Sequence, residues 1–153
     1  MIAPDVNVLL YALREESERH GAYRSWLEAA LAGVERLVLF EPVLAAVLRI
    51  STHPAIYRTP TPRAIAERFV DASATAPAAV RLSSGDGHWE TFRRLVREAD
   101  CRGNAVQDAY LAALALEHGC TWVTADRGFA RFPGLSWKHP LDSRGKTRNP
   151  VSR

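Results

Sequence analysis

The 153-residue sequence has only two cysteines, Cys101 and Cys120, and a single methionine. Two cysteines are too few for the disulfide framework of a small secreted domain. No Cys/His spacing in the chain matches a zinc site either, so both cysteines read as small core or surface residues. The N-terminus, Met1-Ile2-Ala3-Pro4-Asp5, lacks a basic segment ahead of an apolar stretch, and no signal peptide is expected. No apolar run approaches the ~20 residues of a membrane span. These absences predict a soluble, cytoplasmic protein with no membrane contact. The one Gly-rich stretch, Ser84-Gly85-Asp86-Gly87, lacks the lysine of a P-loop and reads as a turn. The five histidines are scattered, and no Ser/His/Asp arrangement is evident.

Hydrophobic residues make up 47% of the chain and charged residues 24%, close to the globular average. That balance excludes a disordered, collagen-like or low-complexity chain, and the length predicts one domain with its own core. The net charge of +3 is unevenly spread. Residues 127–153 hold seven basic residues against one acid, Asp142, whereas residues 1–126 hold 13 basic against 16 acidic residues. A basic end on an acidic body suits a polyanion; a solvated, frayed terminus explains it equally well.

Strand and helix patterns alternate along the chain. Ile2–Val6 reads as a buried strand, followed by a helix with Val8, Leu9, Ala12 and Leu13 on one face and Asn7 as its cap. A helix fits His20–Leu31, and Arg36–Phe40 reads as the second strand. Pro42 suits the first turn of the next helix, and a proline-rich loop spans His53–Pro62. Thr59 or Thr61 is expected to cap a helix running to about Ala74 with Ile65, Phe69 and Val70 inward. Ala79–Leu82 is a third strand, Trp89 to about Cys101 a helix, and Val106–Leu116 the clearest helix of all. Cys120–Thr124 and Leu135–Lys138 are the last strands, with a helical turn at Phe129–Phe132 between them. Trp26, Trp89, Trp122 and Trp137 read as core residues rather than base-stacking platforms. Strands alternating with helices predict an α/β fold, and such open parallel sheets gather function at the carboxyl ends of their strands.

Three acids stand at those ends or beside them. Asp5 closes the first strand, where a charge is costly to bury without a partner; a helix cap is an equally good reading. Asp108 falls in what the pattern makes the first turn of the clearest helix, where the helix dipole alone would favour it. Asp126 follows Thr-Trp-Val-Thr and fits a turn or cap. Together the three would meet at one edge of a parallel sheet, where clustered carboxylates raise one another's pKa unless a cation joins them. Oxygen ligands supplemented by water suit Mg²⁺ or Mn²⁺, with Thr124 and Asn7 placed to orient ligands or water behind them. Arg49 and Arg127 lie near the same acidic edge, where ion pairs with these acids would explain them.

Asp5-x-Asn7, Asp108-Ala-Tyr-Leu-Ala-Ala-Leu-Ala and Thr124-Ala-Asp126-Arg127-Gly128-Phe129, in that order, resemble the PIN domain, and more narrowly the VapC toxins of type II toxin–antitoxin systems. Leu48-Arg49-Ile50-Ser51-Thr52, Arg102-Gly103-Asn104 and Phe129-Ala130-Arg131-Phe132-Pro133-Gly134-Leu135 fit the same group. The resemblance covers residues 1–142 as a PIN nuclease domain and leaves 143–153 as a basic tail, expected to be flexible. It implies a three-layer α/β/α sandwich on a mostly parallel sheet. It also implies a Mg²⁺- or Mn²⁺-dependent endoribonuclease that leaves a 5′-phosphate and a 3′-hydroxyl. In that reading Asp5 and Asp108 are metal ligands, Asp126 completes the site, and Arg49 and Arg127 are candidate RNA contacts. A cognate VapB-type antitoxin would block that site, and the toxin would be a homodimer. Many PIN domains carry a glutamate on the helix after the second strand; here that position falls near Ala46. Glu41 is the candidate substitute, or else a residue placed by the helix dipole. Without a fourth acid, a degenerate PIN module that binds RNA or antitoxin without cutting is the alternative, followed by a nuclease acting on DNA ends or flaps.

Overall fold

Five short strands form one sheet: β1 (Ile2–Pro4), β2 (Leu37–Phe40), β3 (Ala79–Leu82), β4 (Thr121–Val123) and β5 (Trp137–Lys138). Their order is β3-β2-β1-β4-β5, and every pairing is parallel. The computed structural model describes residues 1–142; the basic segment 143–153 lies outside the described residues. Six helices flank the sheet as a three-layer α/β/α sandwich: α1 (Val6–Leu13), α2 (His20–Ala32), α3 (Glu41–Ser51), α4 (Arg63–Ala74), α5 (His88–Glu98) and α6 (Asn104–Glu117). α1 packs on α2 and α3, α3 on α4, and α5 on α6. No described helix is long and apolar enough to cross a membrane.

The strands read as continuous apolar runs because both faces of a parallel sheet are covered; Leu37, Val38, Leu39 and Phe40 are all buried. α6 is apolar almost all round, with Ala109, Leu111, Ala112, Ala113, Leu114 and Ala115 buried, as expected of a helix sunk into the core. Gly103, at φ 56° and ψ −127°, turns the chain into it, a backbone region open mainly to glycine. β1 is the central strand, and the sheet opens around it for a definable reason. The Ile2 N–H donates to Arg36 O on the β2 side. Pro4, two residues on, would face the same side but has no N–H to give. Pairing with β2 stops at Ile2↔Leu37, whereas three residues pair with β4. β1 connects onward to β2 on one side, while β4 connects to β5 on the other. Such a switch point opens a crevice at the carboxyl ends of the two strands.

Several local expectations are corrected. Asp5, not Asn7, caps α1: its carboxylate accepts the Val6 N–H, and Asn7 lies inside the first turn. Neither Thr59 nor Thr61 caps α4, which begins after Pro62 without a side-chain cap. Ile65 is 43% and Trp89 61% exposed, so neither is a core residue. Trp26 is only partly buried, while Trp122 and Trp137 are in the core. Both cysteines are buried and free.

Arg14, by contrast, is buried at the end of α1. Its Nη1 donates to Thr61 Oγ1 (2.8 Å) and Ser51 O (3.4 Å), and its Nη2 to Thr59 O (3.0 Å) and to Glu16. The guanidinium lies 3.5 Å from the centroid of the Tyr57 ring. One side chain thereby ties α1 to the end of α3 and to the proline-rich loop. Arg14→Ala is expected to lower stability by about 2–4 kcal/mol in urea unfolding, since it removes a buried side chain, its contact with Tyr57 and four hydrogen bonds at once. A loss under ~0.5 kcal/mol would show that the loop holds without it.

Candidate active site

The crevice at the sheet's carboxyl edge is a cleft of about 280 Å³. Asp5, Asn7, Arg49, Asp108 and Asp126 line it, together with Ala46 and Gln107. Asp5 reaches it from the end of β1, Asp126 from the segment after β4, and Asp108 from α6. Two predicted residues are not brought there. Glu41 is the exposed first residue of α3 and does not line the cleft. Arg127 is exposed and also lies outside the lining. Ala46 does face the cleft, so the position of the missing acid is occupied by a methyl group. Asp108 is the fifth residue of α6 and not in its first turn, so the helix dipole, which fades beyond that turn, is a poor account of it.

Thr124 is the hub of the cleft's polar network. Fully buried, its hydroxyl donates to Asp5 Oδ2 (2.6 Å) and accepts from Asn7 Nδ2 (3.1 Å) and the Asp126 N–H (3.0 Å). That uses the one proton and both lone pairs of a hydroxyl. Asn7 Nδ2 also donates to Asp5 Oδ2 (3.0 Å), and Asn7 Oδ1 accepts from the Ala125 N–H (3.2 Å). Asp126 caps a 3-10 turn, Arg127–Arg131, by accepting the Gly128 N–H at 2.7 Å. A side chain at residue 128 would meet Asp126 Oδ1 at 2.9 Å, which explains the glycine. Asp5 and Asp126 are therefore caps and cleft residues at once, and those readings do not compete. Thr124→Val keeps the shape but leaves the Asp126 N–H unpaired and takes one hydrogen bond each from Asp5 and Asn7. It is expected to cost about 1–3 kcal/mol, with Thr124→Ser close to the parent; equal stability of Val and Ser variants would contradict this network.

The charges in the cleft are poorly compensated. Burial first, and then the Asp108 and Asp126 charges, push the Asp5 carboxyl from 3.8 up to about 6, against the hydrogen bonds from Thr124 and Val6. Asp108 is raised as well, by burial first and then by Asp126, while Arg131 draws it down. Arg131 is thus a cation beside Asp108; it is exposed and donates through Nε to Gly128 O.

Hydrogen bonding occupies three of the ~four lone-pair sites of the Asp5 carboxylate. Asp108 makes no side-chain hydrogen bond among the described residues, so its oxygens are free. Among those residues no three His, Cys, Asp or Glu side chains stand close enough together to hold a metal ion between them, Asp5, Asp108 and Asp126 included. An all-oxygen, water-accessible donor set with one or two free carboxylates fits Mg²⁺ or Mn²⁺, which retain several waters, better than a metal needing a complete protein cage.

A PIN-domain family model matches residues 2–135. The chain is 47% identical over 142 residues to VapC ribonuclease Mb2897 of Mycobacterium bovis, covering 93% of this chain and 97% of that one. This is a PIN-domain protein of the VapC family. Ribonuclease VapC25 of Mycobacterium tuberculosis is 39% identical over 140 residues, covering 92% of this chain and 99% of that protein. Among solved structures, VapBC2 from Rickettsia felis, bound to a promoter DNA fragment, superposes with a TM-score of 0.68 at 18% identity. It covers 91% of this chain and 98% of that one. Mycobacterium tuberculosis VapC20, described as a sarcin-ricin loop cleaving toxin, gives 0.64 at 14% identity, over 85% and 93%. At such identities these superpositions speak for the VapC fold alone.

Proposed function

We propose that this VapC-family chain is a metal-dependent endoribonuclease toxin whose reaction takes place in the Asp5–Asp108–Asp126 cleft. The observation that carries the reading is the meeting of three acids from three separate segments in one crevice, with Asp5 strained up to a pKa of about 6. The naming of the relatives as VapC ribonucleases supports it.

Asp5 and Asp108 are the residues that would hold Mg²⁺ or Mn²⁺, with Asp126 completing the acidic wall. When bound, such an ion supplies the positive charge that lets a phosphodiester approach carboxylates and makes nearby water more acidic. The chain's own contribution is positional. Thr124 and Asn7 fix Asp5 in one rotamer, so no reorganisation is required when charge develops. Asp126 is fixed by Gly128 and lies where it can accept a proton from water. Arg49 at the cleft rim and Arg131 beside Asp108 offer donors to phosphate oxygens. Attack by water on phosphorus with departure of the 3′ oxygen leaves a 5′-phosphate and a 3′-hydroxyl.

A VapB-type antitoxin is the proposed partner. The groove between α1, α2 and α4, about 390 Å³ and lined in part by Leu13, Leu27, Leu31, Ile65 and Phe69, supports the seating of an apolar partner segment. We also propose a homodimer, which light scattering of the free chain would check. The functional test is incubation of antitoxin-free protein with RNA in Mg²⁺ or Mn²⁺ and in EDTA. The reading expects discrete products only with metal; products that persist unchanged in EDTA would overturn the metal requirement. RNA retained without any product would favour the non-cleaving alternative, which Ala46 in place of an acid keeps open.

A further inference from the structure

The largest exposed apolar side chain outside the cleft is Trp89, 61% accessible at the start of α5. Arg93 and Arg97 follow it at intervals of four, so the three side chains succeed one another along one flank of the helix. Both arginines are exposed, and neither has a carboxylate within ion-pair distance among the described residues. The opposite flank is neutralised instead, by the Arg94–Glu98 pair at 3.0 Å. Glu90 is the one acid of α5 outside that pair. From Trp89 to Arg97 the stripe spans about 12 Å of helix.

α5 lies against α6, the helix that carries Asp108. The inner face of α5 is clamped to α6 by His88, whose Nε2 lies 3.0 Å from Tyr110 O and whose ring packs on Tyr110. Phe92 packs on Tyr110 too. Beyond Arg97, α5 ends in the turn at Cys101, which is close enough to Arg131 and Asp108 to feel both charges. An indole standing in water beside two unpaired guanidinium groups, on a helix packed against the one that carries Asp108, has the chemistry of a single-stranded nucleic-acid track. Bases of any identity stack on an aromatic ring, and arginines neutralise the phosphates between them.

We propose that Trp89, Arg93 and Arg97 form an RNA-docking track on α5 that holds a single-stranded segment of the substrate beside the acidic cleft. The inference rests on the ribonuclease reading for its direction of travel, but it makes a claim about binding that stands or falls separately. A track on a rigid helix would hold the substrate without touching the scissile phosphate. Loss of the track would raise KM and leave kcat for bound RNA nearly unchanged.

The test uses the full chain carrying Asp108→Asn, so that RNA is bound but not consumed, and a fluorescein-labelled oligouridylate about ten nucleotides long. Adding Trp89→Ala is expected to weaken binding by about fivefold to a hundredfold, and Trp89→Phe to restore most of it. Arg93→Gln with Arg97→Gln is expected to weaken binding and to reduce the steepness of its salt dependence by about one in the log–log slope. Trp89→Ala should leave that slope unchanged. All three positions are exposed, so the variants are expected to fold, as circular dichroism would verify. Unchanged affinity in Trp89→Ala, or no RNA binding by the Asp108→Asn parent, overturns the track. So does a dimer-to-monomer change in Trp89→Ala by light scattering, which would make this face a contact between copies of the chain. Wild-type chain that cuts no RNA, while the track variants still lose affinity, would sink the nuclease reading and leave the track standing.

Discussion

Asp108→Asn is expected to reduce RNA cleavage by at least about a hundredfold while leaving the chain folded. Both halves follow from the surroundings of this side chain. Asp108 caps nothing, makes no side-chain hydrogen bond among the described residues, and stands on α6 past the reach of the helix dipole. Burial and the Asp126 charge make its ionised form costly. Replacing it with the isosteric amide removes that cost, so stability is expected to hold or to rise slightly. What disappears is a free carboxylate at the mouth of the cleft. Changes to residues that merely orient metal ligands cost about 10–100-fold; loss of a ligand itself is expected to cost more. Single-turnover cleavage of one RNA, with circular dichroism on the same sample, checks both. Cleavage within threefold of the parent would remove Asp108 from the site, and an unfolded variant would show a structural role that its contacts do not reveal.

The second large effect is a pH dependence of stability that belongs to Asp5. In the metal-free chain the folded Asp5 keeps its proton up to about pH 6, whereas the unfolded chain releases it near 3.8. Between those values the folded state binds more protons than the unfolded state, so stability falls as pH rises through the window. A shift from 3.8 to about 6 corresponds to about 3 kcal/mol. Urea unfolding in EDTA is expected to show the wild type losing most of that, relative to Asp5→Asn, between pH 4 and pH 7.5. Most of the change should fall between pH 4.5 and 6.5. The comparison matters because other groups titrate over the same range and cancel in the difference, while the weakened α1 cap in the variant adds only a constant offset. Millimolar Mg²⁺ at pH 7.5 is expected to restore stability to the wild type and much less to the variant. A pH-independent difference would mean that the Asp5 charge is already compensated without metal.

Much of this arrangement is legible in the sequence because it is written locally. The alternation of apolar runs with helical spacing gives five strands and the helices between them, and Asp5, Asn7, Asp108, Thr124 and Asp126 all stand near ends of those elements. Their convergence follows from the rule that parallel strands deliver their carboxyl ends to one edge. What escapes is set by distant partners. Arg14 looks like a solvated helix end, and its burial depends on carbonyls and a hydroxyl 37 to 47 residues away. Trp89 has the spacing of a core residue, but on α5 it falls at the flank, where His88 and Leu95 already fill the inner face. Ile65 fails in the same way on α4, which buries Ala66, Val70 and Ser73 instead. Glu41 is the nearest acid in the chain to the vacant position near Ala46, yet it stands exposed at the first position of α3 and does not line the cleft. Arg131 and Gln107 do not stand out, because nothing in the local pattern separates an arginine or glutamine near the cleft from one in solvent.

The most direct test of the cleft as an RNA-cutting centre is a map of new 5′ ends in total RNA. Purified antitoxin-free protein would be incubated in Mg²⁺ or Mn²⁺ beside Asp108→Asn and beside an EDTA control. The predicted result is a small set of discrete 5′-phosphate ends that appear with wild-type protein and metal and vanish in both controls. The same ends produced by Asp108→Asn, or no new ends from folded wild-type protein across every RNA in the sample, would contradict it.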